Sequence, residues 1–118
     1  MAEMLGCEVM RIEAVWLALG SSDLRAGMDT LLGLVVKRFG RAQRHHAYVF
    51  ANRGATRLKV LVFDGCGIWL ASRRLQSGRF AWIQDERGEL SITQDQWDWL
   101  IQGLPWQRRH TAQAIEVV

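Results

Sequence analysis

The stretch RLKVLVFDGCGIWLASRRL, residues 57–75, decides the fold. It contains two runs rich in β-branched and large apolar residues, 57–63 and 67–75, which flank the tetrapeptide Asp64-Gly-Cys-Gly67. Asp-Gly between two such runs is a strong hairpin signal, because glycine readily adopts the positive φ angles that tight turns require. The sequence therefore predicts an antiparallel hairpin here.

The register of this hairpin follows from the turn. If the strands pair on either side of the tetrapeptide, Lys59 faces Ser72, because neighbouring antiparallel strands run in opposite directions. The same register places Arg57 and Arg74 at one end of the same face. We therefore expect a basic end on the hairpin.

Short apolar runs separated by turn residues continue on both sides of the hairpin. They predict further strands at residues 14–18, 47–51, 79–83 and 90–92. Apolar residues spaced as on one face of an α-helix run from Leu24 to Phe39, with Ser22 or Asp23 placed to cap the helix and Gly40 to end it.

A second, shorter helix is predicted near the C-terminus. Thr93 and Gln96 form a capping-box pattern, in which the threonine caps the helix start and the glutamine reaches back. Gly103 and Pro105 end the apolar run that follows. We expect the helix to be amphipathic.

These elements predict an α+β fold: an N-terminal strand and helix, an antiparallel β-meander of about four to five strands, and a short C-terminal helix. We expect a single domain over residues 1–118, with a core at about 9–106 and a mobile tail at 107–118. Both helices are expected on one face of the sheet, which leaves the other face partly open.

The net charge of +3 conceals an uneven distribution. Residues 1–36 and 80–118 each carry a net charge of −3, whereas residues 37–79 carry ten basic residues against Asp64, a net charge of +9. Thirteen of the fifteen basic residues are arginine, which suits planar contacts with phosphate or carboxylate. This pattern indicates a surface that faces a polyanion.

Composition excludes several classes of protein. No apolar run approaches the roughly 20 residues of a membrane helix, and Cys7 and Cys66 are too few for a disulfide framework. We therefore expect a reduced, cytoplasmic protein. The cysteines and histidines have no zinc spacing, and no phosphate- or dinucleotide-binding motif is present, so we expect neither a metal nor a cofactor.

Several motifs occur in an order that resembles that of a known protein family. They are Asp23-x-Arg25-x-Gly27-x-Asp29-x-Leu31, Tyr48-Val-Phe50, Leu58-Lys-Val-Leu61, Asp64-Gly-x-Gly67, Arg73-Arg-Leu75, Gly78-Arg-Phe-x-Trp82 and Gly103-x-x-Trp106. Over residues 9–108 the chain is similar to the TnpB-type accessory protein, the second open reading frame product of bacterial insertion sequences of family sixty-six. Ala26, Met28 and Gln76 depart from residues common in that family.

The resemblance implies an accessory protein made beside a separate, larger transposase and needed for efficient transposition. It implies no particular biochemical activity. Taken with the charge distribution, it leads to the hypothesis that the chain binds the DNA of insertion-element ends and assists the transposase. The candidate DNA-binding residues are Arg25, Arg57, Lys59, Arg73, Arg74 and Arg79.

Three alternatives stand beside this hypothesis. The chain could instead be a protein-interaction adaptor that assembles the transposase without touching DNA, with Trp99, on the outer side of the last helix, as its candidate contact. The basic segment could be a solvated surface without a partner. An enzyme using Asp23, Asp29 and Asp64 is not expected, since Asp23 is placed as a helix cap and Asp64 as a turn residue. The sequence leaves open whether the chain forms a homo-oligomer.

Overall fold

A computed structural model describes residues 11–107. It contains five strands and two helices. In chain order they are β1 (Ala14–Ala18), α1 (Met28–Phe39), β2 (His46–Ala51), β3 (Arg57–Phe63), β4 (Ile68–Arg74), β5 (Glu89–Ile92) and α2 (Gln94–Leu100). The predicted tail at 107–118 lies, except for Gln107, outside the described residues. No helix within 11–107 is long and apolar enough to cross a membrane.

The five strands form one mixed sheet in the order β4-β3-β2-β1-β5. β1 and β2 are parallel and are joined by α1, whereas the other neighbouring pairs are antiparallel. The predicted α+β class, the β3–β4 hairpin and the strand near residue 90 are confirmed. The antiparallel meander comprises three strands, β2, β3 and β4, rather than the expected four to five. A parallel β1–α1–β2 unit and β5, which pairs with β1, complete the mixed sheet.

The predicted strand at 79–83 is wrong, because this segment is irregular. Its hydrogen bonds go to loops: the amide of Phe80 donates to the carbonyl of Ala55 at 2.8 Å, and the indole of Trp82 donates to the carbonyl of Gly20 at 2.6 Å. Both side chains pack against the sheet, and Phe80 is buried. The apolar run that predicted a strand therefore belongs to a loop that packs on the sheet.

The helices cover opposite faces of the sheet, so the expectation of one open face is wrong. Leu31 and Val35 of α1 pack with Tyr48 and Phe50 on one face. Leu100 of α2 packs with a second buried cluster on the other face. Because β2 is buried at nearly every position, both of its faces require cover.

α1 begins later than its apolar pattern predicted. Its N-cap is Gly27, without a side-chain hydrogen bond, so the expected cap by Ser22 or Asp23 is wrong. Leu24 is buried in the preceding loop, which explains why it fitted the apolar face. The predicted ends and caps elsewhere are confirmed: Gly40 ends α1 with φ of 88°, and Thr93 forms a complete capping box.

Candidate nucleic-acid interface

Several loops meet at the end of the sheet where the parallel strands β1 and β2 finish. The amide of Ser22, after β1, donates to the carbonyl of Ala51, the last residue of β2, at 2.8 Å. The side chain of Gln84 donates to the carbonyl of Arg53 in the β2–β3 turn at 2.6 Å. The carboxyl ends of parallel strands are a common place for ligand sites in proteins that contain such units.

Basic side chains at the start of β3 and the end of β4 lie at this same end of the sheet. Arg57, the first residue of β3, is the direct cross-strand partner of Arg74, the last residue of β4, and Lys59 is the partner of Ser72. The predicted register is therefore confirmed. The ammonium of Lys59 reaches the carbonyl of Ala26 at 3.4 Å, which brings the loop before α1 beside these strands.

Arginines from two loops complete the cluster. Arg25, Arg53 and Arg57 line a shallow groove of about 380 Å³, in which Asp23 is the one carboxylate among the lining residues that the structure describes. Within residues 11–107, neither Arg53 nor Arg57 makes an ion pair. We call the set Arg25, Arg53, Arg57, Lys59 and Arg74, which lies at this end of the strands, the basic edge.

Arg25 is held in place by Asp23. Its Nε and Nη2 donate to the two carboxylate oxygens at 3.0 and 3.1 Å. These hydrogen bonds raise the pKa of Arg25 above its ordinary value and lower that of Asp23. With 92% of the arginine side chain exposed, the pair is solvent-screened and contributes little stability. It orients the guanidinium and leaves it accessible.

Two predicted residues are placed differently from the other four. Arg73 is on the opposite face of β4, where its Nε donates to the carbonyl of Ile101 at 2.6 Å. Arg79 is exposed in the irregular segment after β4, and the amide of the next residue, Phe80, donates to the carbonyl of Ala55 in the β2–β3 turn. The structure therefore brings together four of the six predicted residues and adds Arg53. Sequence reasoning could have found Arg53 from its place in the turn that follows β2.

Trp99 differs from its expected position. Expected to point away from the core, it is half-buried and packs against the cluster beneath α2. Trp69, on β4, is 42% exposed. Its indole donates to the carboxylate of Asp64 at 2.9 Å, so the ring is exposed but fixed. The structure thus offers Trp69 as a more accessible aromatic contact than Trp99.

The acidic residues have local roles. Asp64 accepts hydrogen bonds from the amides of Cys66 and Gly67 and from Trp69, and these bonds lower the pKa of its carboxyl. In the part of the chain that the structure describes, no three His, Cys, Asp or Glu residues are grouped to hold a metal ion. Cys66 is disulfide-bonded, so the expectation of a reduced thiol there is wrong.

The family model described as "IS66 Orf2 like protein" matches residues 13–111, which include the whole basic edge and every element of the sheet. The chain belongs to the IS66 Orf2-like family. It is therefore an insertion-element accessory protein, as the motifs predicted. This membership associates it with a transposase encoded by the same kind of element.

Two relatives of the IS66 Orf2-like chain come from Sinorhizobium fredii (strain NBRC 101917 / NGR234). The uncharacterized protein y4hO is 35% identical over 94 residues, which cover 78% of this chain and 81% of that protein. The uncharacterized protein y4jC is 32% identical over 91 residues, covering 73% and 74%. No solved structure matches the chain significantly.

Proposed function

We propose that this IS66 Orf2-like protein binds the DNA of insertion-element ends through the basic edge and thereby assists a separate transposase. The observation that carries the proposal is the direct pairing of Arg57 with Arg74. Like charges on directly opposed residues are unfavourable in a sheet, so their pairing is better explained by a ligand than by folding. A polyanion would relieve the repulsion.

The surroundings of this pair suit a phosphate backbone. The groove that includes Arg57 has three arginines against the single carboxylate of Asp23 among its described lining residues. The N-terminus of α1, which has no side-chain cap, lies beside Lys59 through the loop residue Ala26. Helix N-termini favour anions, because their free amides and dipole are positive. These contacts would position DNA without reading its sequence.

In this function the chain performs no catalysis of its own. Asp23 is bound to Arg25, and Asp64 organises the turn between β3 and β4. Both carboxylates thus serve local structure, and the chemistry of strand transfer is assigned to the transposase. The chain would act by holding DNA.

A titration of labelled duplexes by fluorescence anisotropy tests this proposal. We expect tighter binding to element ends than to unrelated duplex, and a plot of log affinity against log salt with a slope of about −4.5 for about five phosphate contacts. Arg57→Gln should weaken binding to all sequences and make the slope shallower by about one. Arg41→Gln, which removes an exposed arginine after α1, is the matched control. Equal, salt-insensitive binding to both duplexes would contradict the proposal.

The adaptor alternative is less well supported by the geometry. Its candidate contact, Trp99, packs against the core and is half-buried. Co-purification with the transposase would test it: Trp99→Ala should abolish the complex while the chain stays folded. Loss of folding together with the complex would instead assign Trp99 to the core.

A further inference from the structure

We propose that β4 is a homodimer interface, in which the free edges of two copies pair antiparallel and form one continuous sheet of ten strands. β4 lies at the end of the strand order and is seven residues long. It contains neither proline nor glycine, and its last four residues, 71–74, are all exposed. A long edge strand of this kind presents unpaired backbone groups that favour pairing with another strand.

The opposite edge of the sheet is protected. β5 has only four residues. The guanidinium of Arg38 lies against it, with Nε on the carboxylate of Glu89 at 3.1 Å and Nη2 on the carbonyl of Gly88 at 2.8 Å. Short edge strands resist further pairing, and the Arg38 side chain also covers the end of β5. The two edges therefore differ, and only β4 combines length with accessibility in the described part of the sheet.

The side chains of β4 are complementary to those of a second, antiparallel copy. When Ala71 lies on the two-fold axis opposite its own copy, Trp69 of one chain faces Arg73 of the other. Both residues lie on the α2 side of the sheet, since their partners on β3, Val62 and Leu58, belong to the cluster beneath α2. A guanidinium over an indole face is favourable, and cross-strand pairs of this kind stabilise sheets.

The exposure and fixed orientation of Trp69 favour this contact. It is 42% exposed, yet its indole N–H is already bonded to Asp64, so the ring loses little freedom on binding. Rigid, exposed tryptophans are frequent anchors of protein interfaces. Arg73 is held by the carbonyl of Ile101 through Nε, and its two Nη groups make no hydrogen bond within residues 11–107. A parallel arrangement would instead oppose Arg73 to its own copy.

The dimer does not depend on DNA binding, but it has a consequence if the proposed function holds. A two-fold axis normal to the sheet reverses the strand direction between copies. The two basic edges would therefore lie at opposite ends of the continuous sheet. Such an assembly can hold two DNA segments at once, which suits a protein that acts on the two ends of one element.

The mass of the full chain in solution, measured without DNA by sedimentation, tests the dimer. We expect twice the 13.5 kDa of one chain. Ala71→Lys should raise the dimer dissociation constant at least about ten-fold, because two lysines would face each other across the axis. Ser91→Lys, an exposed position on β5, is the matched control and should leave the dimer unchanged. A monomer at about 100 μM, or equal weakening by both variants, would overturn the proposal.

A cysteine variant tests the register independently. In a background carrying Cys7→Ser and Cys66→Ser, Ala71→Cys should form an intermolecular disulfide on oxidation, because opposed residues in antiparallel strands lie about 5 Å apart. Ser91→Cys in the same background should not. Circular dichroism confirms that each variant is folded. Cross-linking through Ser91→Cys and not through Ala71→Cys would overturn the β4 interface, whether or not the protein binds DNA.

Discussion

Arg57 and Arg74 lie directly opposite each other on β3 and β4, and both side chains are exposed. Neither forms an ion pair with any residue in the range 11–107. The protein thus holds two positive charges together at the end of a hairpin where one carboxylate would relieve the repulsion. Stability and DNA affinity are therefore expected to respond in opposite directions when one charge is changed.

Arg74→Glu should stabilise the fold while weakening DNA binding. It converts the repulsion with Arg57 into a cross-strand attraction, with an expected gain of about 0.5 kcal/mol in the free energy of unfolding at low salt, less at high salt. DNA affinity should fall about ten-fold or more, because a phosphate contact is replaced by a repelling carboxylate. Urea denaturation and anisotropy titration of the same preparation measure the two effects.

Arg41→Glu is the control for this charge reversal. It makes the same change of charge at an exposed position after α1, away from the basic edge. A loss of affinity as large as that of Arg74→Glu would show that net charge, rather than the basic edge, determines DNA binding.

Local chemistry made parts of this fold predictable. The Asp64-Gly turn set the register that pairs Lys59 with Ser72, because turn geometry fixes which residues oppose each other. The capping box at Thr93 specified the start of α2 for a similar reason. Since the register was correct, the sequence also placed Arg57 and Arg74 together.

Long-range packing decided what the sequence left undetermined. No local sequence feature specifies that β2 pairs with β1 in parallel. None specifies that the loop before α1 brings Arg25 to the start of β3. The near-absence of polar residues in β2 was a usable sign that both faces of the sheet are covered. The sequence of β4 gives no comparable sign for Trp69. Its place in the alternating pattern of β4 is that of a core-facing residue, and it is exposed only because β4 is the outer strand of the sheet.

Arg38 is expected to be important for stability, because it connects three parts of the chain. Its guanidinium bonds to the carboxylate of Glu89 at 3.1 Å and to the carbonyls of Leu19 and Gly88 at 3.2 and 2.8 Å. Arg38→Lys should cost about 1–2 kcal/mol, since an ammonium cannot reproduce this fork. Urea denaturation measures the loss, and Arg41→Lys should be neutral. Equal midpoints for both variants would contradict the structural role.

Gly103 and Gly40 allow conformational strain to be separated from crowding. Both have positive φ, 80° and 88°, so alanine is strained at either site by about 1 kcal/mol. A methyl group at Gly103 would also lie 2.7 Å from Cδ1 of Leu75, whereas at Gly40 it meets no described atom within 4 Å. Gly103→Ala should therefore lower the thermal midpoint more than Gly40→Ala. Equal losses would indicate that Leu75 moves aside freely.

Asp64 should make stability depend on acid pH. Hydrogen bonds from the amides of Cys66 and Gly67, and then from the indole of Trp69, lower the pKa of its carboxyl in the folded protein. The unfolded value is about 3.9. The stability that Asp64 contributes is therefore present in full above the unfolded pKa and is lost as pH falls through the folded pKa.

Asp64→Asn tests this dependence, because the amide keeps one acceptor for the backbone but presents an N–H₂ group in place of the second carboxylate oxygen. The variant should be less stable than the natural chain at neutral pH, and the difference should shrink as the pH falls below about 4. Urea midpoints between about pH 2 and 7 measure it, with Asp85→Asn as an exposed control. A difference that stays constant with pH would mean that the lost contact to Trp69, rather than the carboxylate charge, accounts for the effect.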